Sequence, residues 1–250
     1  MKALITGASS GIGRDLARVL SDKYDSFVLV GRNRERLEQV ETELKNNGKE
    51  VWIEILDVTD FDKLHELASK YPDIDLLVNN AGFGDMGPFE ETSLDKELSM
   101  IDTNIKALHV LTKLYYQIMV KNNHGHILNV ASIAGVMAGP LMATYYATKN
   151  YVVKLSEGLR EELRRKKSAV KISILCPGPV KTGFESAANI TFDFKGIDSM
   201  KVAKYTVKHL NRFYIVPDFK IRVLRVLAKV FPVRTVSKVI YKVKNKPKEK

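Results

Sequence analysis

The sequence has 250 residues, of which 45% are hydrophobic and 28% are charged, so it predicts a globular chain with a sizeable core and excludes a disordered one. Its single cysteine, Cys176, excludes an intrachain disulfide and fits a reducing, cytoplasmic compartment. Most of the formal net charge of +11 lies in residues 220–250, which contain eleven Lys or Arg and one acidic residue. The rest of the chain is close to neutral, which argues against a nucleic-acid-binding protein.

Short apolar runs typical of buried strands alternate with longer amphipathic runs typical of helices. The predicted strands are Ala3–Thr6, Phe27–Val30, Val51–Leu56, Leu76–Asn79, Ile127–Val130, Lys171–Leu175 and Tyr214–Val216. The predicted helices include Arg34–Asn46, Asp60–Leu67, Leu98–Lys121 and Tyr145–Lys166. This alternation predicts an α/β fold with a doubly wound parallel sheet of about seven strands, covered by helices on both faces.

The sequence shows no sign of a targeting or membrane-spanning segment, and one internal segment interrupts the alternation. We expect no secretory leader, because the first predicted strand begins at once, and no membrane span, because no uncharged apolar run reaches about 18–20 residues. Residues 184–199, from Phe184 to Ser199, interrupt the alternation and predict a mobile loop of the kind that often covers a site.

The loop after the first strand, TGASSGIG from Thr6 to Gly13, contains three glycines. Between a strand and a helix, such glycines permit a tight turn and let backbone N–H groups approach a pyrophosphate. The spacing differs from G-x-G-x-x-G, and taken alone the loop could be a structural turn. Its place at the start of a βαβ unit favours nucleotide binding.

Residues 132–149, SIAGVMAGPLMATYYATK, contain a serine, two adjacent tyrosines and a lysine. Lys149 follows Tyr145 by four residues and Tyr146 by three, and either spacing can bring a phenol and an ammonium to one helix face. Since successive helical residues differ by about 100°, the two tyrosines cannot face the same point. Local geometry alone does not choose between them.

Four motifs together resemble the classical short-chain dehydrogenase/reductase family: TGASSGIG, NNAG at Asn79–Gly82, Ser132 with Tyr145-x-x-x-Lys149, and PGPVKT at Pro177–Thr182. The resemblance covers Lys2 to about Thr182. It implies a three-layer Rossmann fold of seven strands, with a nicotinamide cofactor across the carboxyl ends of the strands. Because the family serine stands thirteen residues before the tyrosine, it also selects Tyr145 over Tyr146.

The resemblance implies a catalytic set of Asn104, Ser132, Tyr145 and Lys149. Tyr145 would donate a proton to the substrate oxygen, and Ser132 would hold that oxygen. Lys149 would bind the nicotinamide ribose, and Asn104 would complete a water-linked proton path to the lysine. Since a free phenol has a pKa of about 10, the nearby ammonium is expected to lower the pKa of Tyr145.

The cofactor site implied by the resemblance comprises Gly7, Ser9, Ser10, Gly11, Ile12, Gly13, Arg32, Asn33, Asp57, Val58, Asn80, Ala81, Gly82, Tyr145, Lys149, Pro177, Gly178, Val180 and Thr182. Where an NAD enzyme usually has an acid, after the second strand, this chain has Gly31 and then Arg32. A guanidinium can bind a 2′-phosphate, so NADP (NADPH) is predicted over NAD, although Arg32 could instead be a solvated surface residue. Asp57 resembles the family aspartate that meets the adenine, with a helix cap as the alternative.

The predicted function is an NADPH-dependent oxidoreductase that interconverts a carbonyl and an alcohol. Apolar residues in the segments expected to select the substrate favour a lipophilic one: Met137, Leu141, Met142, Phe184, Phe192 and Phe194. The alternative is a cofactor-binding sensor or scaffold without turnover. A homo-oligomer, dimer or tetramer, is expected through the two long helices. No metal site is expected, because His124 and His126 lack a third ligand at useful spacing.

Residues 220–250 predict a basic amphipathic extension beyond a catalytic domain of residues 1–219. Two helical runs, Lys220–Phe231 and Arg234–Lys244, carry apolar residues on one face, and Pro232 separates them. These helices could pack on the body or on a partner subunit. The other interpretation is a peripheral contact with an anionic membrane surface, which would suit a lipophilic substrate.

Overall fold

The computed structural model of the chain describes residues 1–184 and 196–244. Within these residues, seven strands form one parallel sheet, and each predicted strand is confirmed to within one residue at either end. The sheet consists of β1 Lys2–Thr6, β2 Ser26–Gly31, β3 Glu50–Ile55, β4 Leu76–Asn79, β5 His126–Val130, β6 Lys171–Leu175 and β9 Tyr214–Ile215. Two further strands that the sequence did not predict, β7 Val180–Lys181 and β8 Ile197–Asp198, pair with each other.

The strand order in the large sheet is β3-β2-β1-β4-β5-β6-β9, so the direction of winding reverses between β1 and β4. Such a reversal opens a crevice at the carboxyl ends of the strands, where doubly wound folds bind their ligands. The glycine loop leaves β1 and the NNAG motif leaves β4, so both motifs meet at this crevice.

Helices cover both faces of the sheet, because successive strand residues point to opposite sides. In β1, for example, Ile5 packs with Leu16 and Leu37 on one face, and Leu4 packs with Leu64 and other residues on the other. The helices are α1 Gly11–Leu20, α2 Arg34–Asn46, α3 Phe61–Lys70, α4 Leu94–Ile101, α5 Leu108–Asn122, α6 Ala143–Arg165, α7 Ser199–Lys208, α8 Phe219–Val230 and α9 Val233–Lys244. The expected three-layer architecture is therefore confirmed.

The predicted helix Leu98–Lys121 is confirmed, within a longer helical run over residues 94–122 that contains a π-helical turn. The structure has α4, then a π-helical turn at Asp102–Ala107, then α5. A π turn inserts one extra residue into the helical spiral and is frequent at functional sites. Here it contains Asn104, which the family resemblance singles out.

The C-terminal helices α8 and α9 pack on the body of the protein. Ile221 of α8 joins an apolar cluster with Val152 and Val216, and the guanidinium of Arg225 lies 3.9 Å from the centre of the Tyr214 ring. In the described part of the chain, no helix combines the length and the apolar character needed to cross a bilayer. The predicted loop Phe184–Ser199 falls mostly on residues 185–195, outside the described residues.

Candidate active site

The glycine loop forms a cradle, the space that its glycines leave free of side chains. Gly7 and Gly11 have left-handed backbones, with φ of +65° and +53°. A Cβ on Gly13 would lie 2.3 Å from the Gly7 carbonyl oxygen, so only glycine fits there. The Asn80 amide donates to the carbonyl oxygens of Thr6 and Gly7, at 2.9 and 3.2 Å, which ties the loop to the end of β4.

The N-terminus of α1 points into this cradle without a competing acid. Ser10 is the N-cap residue, its side chain makes no capping hydrogen bond, and the first turn has no acidic residue. Within the loop, the Ser9 hydroxyl faces Gly31 at the end of β2, and Ile12 packs against the core. The free N–H groups of a helix start attract anions, so the arrangement fits a phosphate group.

The PGPVKT turn closes the cradle from the other side. A Cβ on Gly11 would lie 3.0 Å from the Thr182 methyl group, so the turn reaches the glycine loop itself. The Pro177 carbonyl accepts from the backbone N–H of Ile133, 2.9 Å away, which joins the turn to the serine segment. Gly178 contacts Ile221 of α8, and Val180 lies in β7.

The residues expected at the adenine ribose lie at the ends of β2 and β3. Arg32 is 79% exposed and pairs with Asp57 at 3.2 Å. Although burial favours the protonated form, hydrogen bonds from Thr59 and Arg32 hold the pKa of Asp57 below its usual value. Asp60, which accepts from the Lys63 N–H, caps α3, so the alternative of Asp57 as the cap is wrong.

Two other predicted cofactor residues near this edge have structural partners. Asn33 caps α2, its side chain accepting from the Arg36 N–H at 2.8 Å. Val58 is buried in the apolar cluster that also contains Val28 and Val30 of β2. Their contact with a cofactor stays a prediction.

Asn104 holds the π turn against α6 and against the NNAG segment. Its side-chain oxygen accepts from the Phe83 N–H at 3.0 Å, and its amide donates to the Phe83 carbonyl at 2.8 Å and to the Thr148 hydroxyl at 3.1 Å. The Thr148 hydroxyl donates in turn to the Tyr145 carbonyl. A Cβ on Gly82 would lie 2.7 Å from the Asn104 side-chain oxygen and 3.4 Å from Lys149 Nζ, so Gly82 leaves room for both.

Ser132, Tyr145 and Lys149 come together, each at most 9% exposed. Lys149 Nζ donates to the Val130 carbonyl at 3.0 Å and lies 5.9 Å from the centre of the Tyr145 ring. The Ser132 hydroxyl accepts from the Ala134 N–H at 3.2 Å. Three of the four residues that the resemblance assigns to catalysis therefore lie together, buried at the carboxyl end of β5.

Burial sets the charge states of this group. It raises the pKa of Tyr145 to about 12, with Ser132 opposing the shift, and lowers the pKa of Lys149 to about 8. The expected lowering of the Tyr145 pKa by Lys149 is therefore wrong for this structure. The Lys149 ammonium donates to the Val130 carbonyl, and burial of the phenol dominates the shift of its pKa.

Tyr146 lies on the other side of the helix. Its ring meets the Tyr145 ring edge-on at 6.2 Å, and a Cβ on Gly139 would lie 2.3 Å from it. Lys244 Nζ lies 3.9 Å from its centre. The structure thus separates the two tyrosines as the helical rotation predicts.

Comparison with known proteins gives the family. The model of the short chain dehydrogenase family matches residues 1–191. The chain belongs to the short-chain dehydrogenase/reductase family. It is 36% identical over 213 residues to an uncharacterised oxidoreductase of Staphylococcus epidermidis, covering 84% of this chain and 90% of the relative. A Staphylococcus aureus oxidoreductase is 32% identical over 217 residues, covering 84% and 93%.

Solved structures of two family members resemble this chain closely in fold. One from Burkholderia phymatum, in complex with NAD, is 28% identical with a TM-score of 0.82, covering 90% of this chain and 92% of that one. One from Sphingobium yanoikuyae, in complex with NADPH, is 25% identical with a TM-score of 0.83, covering 92% and 93%. Family and fold are thereby confirmed, while the two structures hold different nicotinamide cofactors.

One acidic residue near Tyr145, Asp85, was not predicted from the sequence. A small cleft beside Tyr145 is lined by Met100, Leu141 and Met142, but also by Asp85, which is 7% exposed and pairs with Lys96 at 2.8 Å. The position of Asp85, just after NNAG, was the signal available. Phe184 lies against Tyr145, with ring centres 5.4 Å apart, while Phe192 and Phe194 are outside the described residues.

The two histidines considered as metal ligands have partners within the protein. His124 Nε2 lies 2.8 Å from Asp75, and His126 Nε2 lies 2.8 Å from the Ser173 hydroxyl. Burial lowers the pKa of His126 to about 4, so it is neutral at ordinary pH.

Proposed function

We propose that this chain is an NADPH-dependent carbonyl reductase that reversibly converts a lipophilic ketone or aldehyde to an alcohol. The observation that carries the proposal is the buried group of Ser132, Tyr145 and Lys149, placed where the winding of the sheet opens its crevice and beside the glycine cradle. A chain that only bound a nucleotide would need the cradle but not a buried phenol and ammonium next to it.

The cofactor would lie along the carboxyl edge of the sheet. The cradle and the start of α1 fit its phosphates, because the glycines leave no side chain in the way and no acid repels them. Arg32, with Gly31 before it, favours the additional phosphate of NADPH. When bound, the nicotinamide supplies the hydride in reduction and accepts it in oxidation.

The protein side of the chemistry follows from the charge states. With its pKa raised to about 12, Tyr145 keeps its proton at neutral pH and can donate it to the substrate oxygen. Lys149, charged below about pH 8, stabilises the phenolate that remains. The Ser132 hydroxyl holds the substrate oxygen. Both amide hydrogens of Asn104 are used within the protein, so a water-linked path to Lys149 would use its oxygen atoms.

The apolar part of the cleft supports a lipophilic substrate. Met100, Leu141 and Met142 line it, and Phe184 covers the Tyr145 ring. Asp85 limits the range of substrates. A buried carboxylate that already pairs with Lys96 would disfavour a substrate with an anionic group near it.

The alternative is a cofactor-binding sensor or scaffold without turnover, and one pair of variants separates the two. Tyr145→Phe should abolish NADPH oxidation with a panel of aliphatic and aromatic carbonyls, while Tyr146→Phe should keep most of it. NADPH should still bind both variants in a titration, because neither loses a group that would hold a phosphate. Binding without oxidation of any carbonyl by the wild type would favour the sensor. An active Tyr145→Phe would overturn the assignment.

Two assembly predictions remain proposals. We propose a homo-oligomer through the outer faces of α5 and α6, to be tested by light scattering. We also propose that α8 and α9 touch an anionic membrane surface, because Phe219, Val226 and Val230 are exposed on a strongly basic extension. Salt-sensitive cosedimentation with anionic but not neutral vesicles is expected. Phe219→Ser with Val230→Ser should reduce it, and equal recovery would rule the contact out.

A further inference from the structure

The last helix of the chain carries a lysine into the interior. Lys244, at the end of α9, is 6% exposed, while its neighbours Lys242 and Val243 are exposed. No carboxylate of the described residues pairs with the Lys244 ammonium. Burying a cation in this way is costly, and burial lowers the pKa of Lys244 to about 7. A methionine would fill the same space without that cost, so packing alone does not account for a lysine here.

The ammonium of Lys244 makes two contacts, both next to the candidate active site. Nζ donates to the Pro140 carbonyl at 3.1 Å and lies 3.9 Å from the centre of the Tyr146 ring, within the range of a cation–π interaction. Pro140 belongs to residues 137–142, here called the substrate loop, which leads into α6 directly before Tyr145. One side chain therefore joins the C-terminal extension to the loop and to the neighbour of Tyr145.

The substrate loop is also attached at both ends. Asn150 donates to the carbonyl of Met137 at its start, and the Gly87 N–H donates to the carbonyl of Leu141 near its end. Leu141 has φ of +63°, a left-handed conformation that costs energy for a non-glycine residue. Lys244 holds Pro140, directly before this strained residue. Leu141 and Met142 in turn line the cleft beside Tyr145.

We propose that Lys244 is a positioning residue, which holds the substrate loop from the C-terminal extension and so sets the shape of the cleft that receives the carbonyl substrate. The proposal rests on the proposed reductase function. The two contacts of Lys244 are with the loop and Tyr146, not with the glycine cradle, so it should act on substrate binding and leave cofactor binding unchanged. The substrate class is the lipophilic carbonyl of the proposed function, which would bind only when Leu141 and Met142 form the apolar wall of the cleft.

The test compares Lys244→Met with Lys242→Met, a matched loss of an exposed lysine on the same helix. For a bulky apolar ketone, Lys244→Met should raise KM about tenfold, equivalent to about 1.4 kcal/mol, with NADPH affinity unchanged. Lys242→Met should behave as the wild type. Lys244→Arg should restore most of the KM, because a guanidinium can also donate to a carbonyl and stack on an aromatic ring.

A second measurement does not need turnover. Amide hydrogen exchange over residues 137–142 should be faster in Lys244→Met than in Lys242→Met, and this holds whether or not any carbonyl is reduced. Equal KM and equal exchange in the two variants would overturn the proposal. So would a Lys244→Met protein that loses NADPH affinity and thermal stability together, since that pattern indicates a general structural role. If Lys244→Met does not fold, Lys244→Ala, which also removes the donor, takes its place in both measurements.

Discussion

Removing the guanidinium of Arg32 should weaken NADPH binding and leave NADH binding almost unchanged. In the structure Arg32 pairs with Asp57 at 3.2 Å, and both side chains are substantially exposed. Such a surface pair contributes at most about 1 kcal/mol, whereas a hydrogen bond to a charged group contributes about 1.5–3 kcal/mol. When NADPH binds, Arg32 would exchange its ion pair with Asp57 for a hydrogen bond to the 2′-phosphate, a net gain of about 1–2 kcal/mol. Arg32→Ala should therefore raise the Kd of NADPH roughly 5- to 30-fold.

The assay is fluorescence titration of both cofactors, with Arg34→Ala as the control. Arg34 is a similarly exposed arginine that pairs with Glu38 at 3.6 Å, so its removal also breaks a surface ion pair. Arg34→Ala should leave the ratio of the two Kd values unchanged. Equal weakening of NADPH and NADH by Arg32→Ala would refute the reasoning, because it would show that Arg32 does not distinguish the two cofactors.

A preference for NADH should come from combining Gly31→Asp with Arg32→Ala. A Cβ on Gly31 would lie 3.5 Å from a Leu37 methyl and 3.6 Å from the Ser9 hydroxyl, which are ordinary contacts, so a side chain fits. The carboxylate would accept from a ribose hydroxyl and repel a phosphate. The double variant should therefore prefer NADH in the same titration, and a double variant that still prefers NADPH would show that other residues set the preference.

Two further predictions concern charge and stability. kcat/KM for carbonyl reduction should fall as the pH rises through about 8, because the lowered pKa of Lys149 means that its ammonium is present below that pH and lost above it, and a profile that stays flat from pH 7 to 9 would contradict this. Gly158→Ala should raise the free energy of unfolding by about 0.5–1 kcal/mol in urea denaturation, because Gly158 is exposed within α6 and an added Cβ meets no atom within 4 Å, and a loss of stability would contradict this.

The sheet could be predicted because its strands are continuous apolar runs that no other element explains. Phe27–Val30 and Leu76–Asn79, for example, are buried on both faces and bounded by polar residues. The helix through Asn104 was predicted but its π turn was not, since one extra residue barely disturbs the apolar periodicity of a long helix. The two-residue strands Val180–Lys181 and Ile197–Asp198 each contain one apolar and one charged residue, so they lack the apolar run that identified Tyr214–Val216.

For the candidate site, the sequence supplied the residues but not their charge states. Spacing placed Tyr145 and Lys149 on one helix face, and the structure agrees. The direction of the Tyr145 pKa shift was wrong because desolvation depends on what covers the phenol, here Phe184 and the substrate loop, and such cover is a property of the tertiary fold.

The C-terminal extension shows how a charge count can mislead. Counted along the sequence, its basic residues all seem available to an anionic surface, at about 1 kcal/mol each. In the structure, Arg222 donates to the Val216 carbonyl at 3.0 Å, Arg225 stacks on Tyr214, and Lys244 is buried against the substrate loop. These three cations hold the extension to the body and its active site, so they cannot also serve a membrane. Any lipid contact must therefore use the remaining outward basic residues, and its dependence on salt should be weaker than the full count of eleven implies.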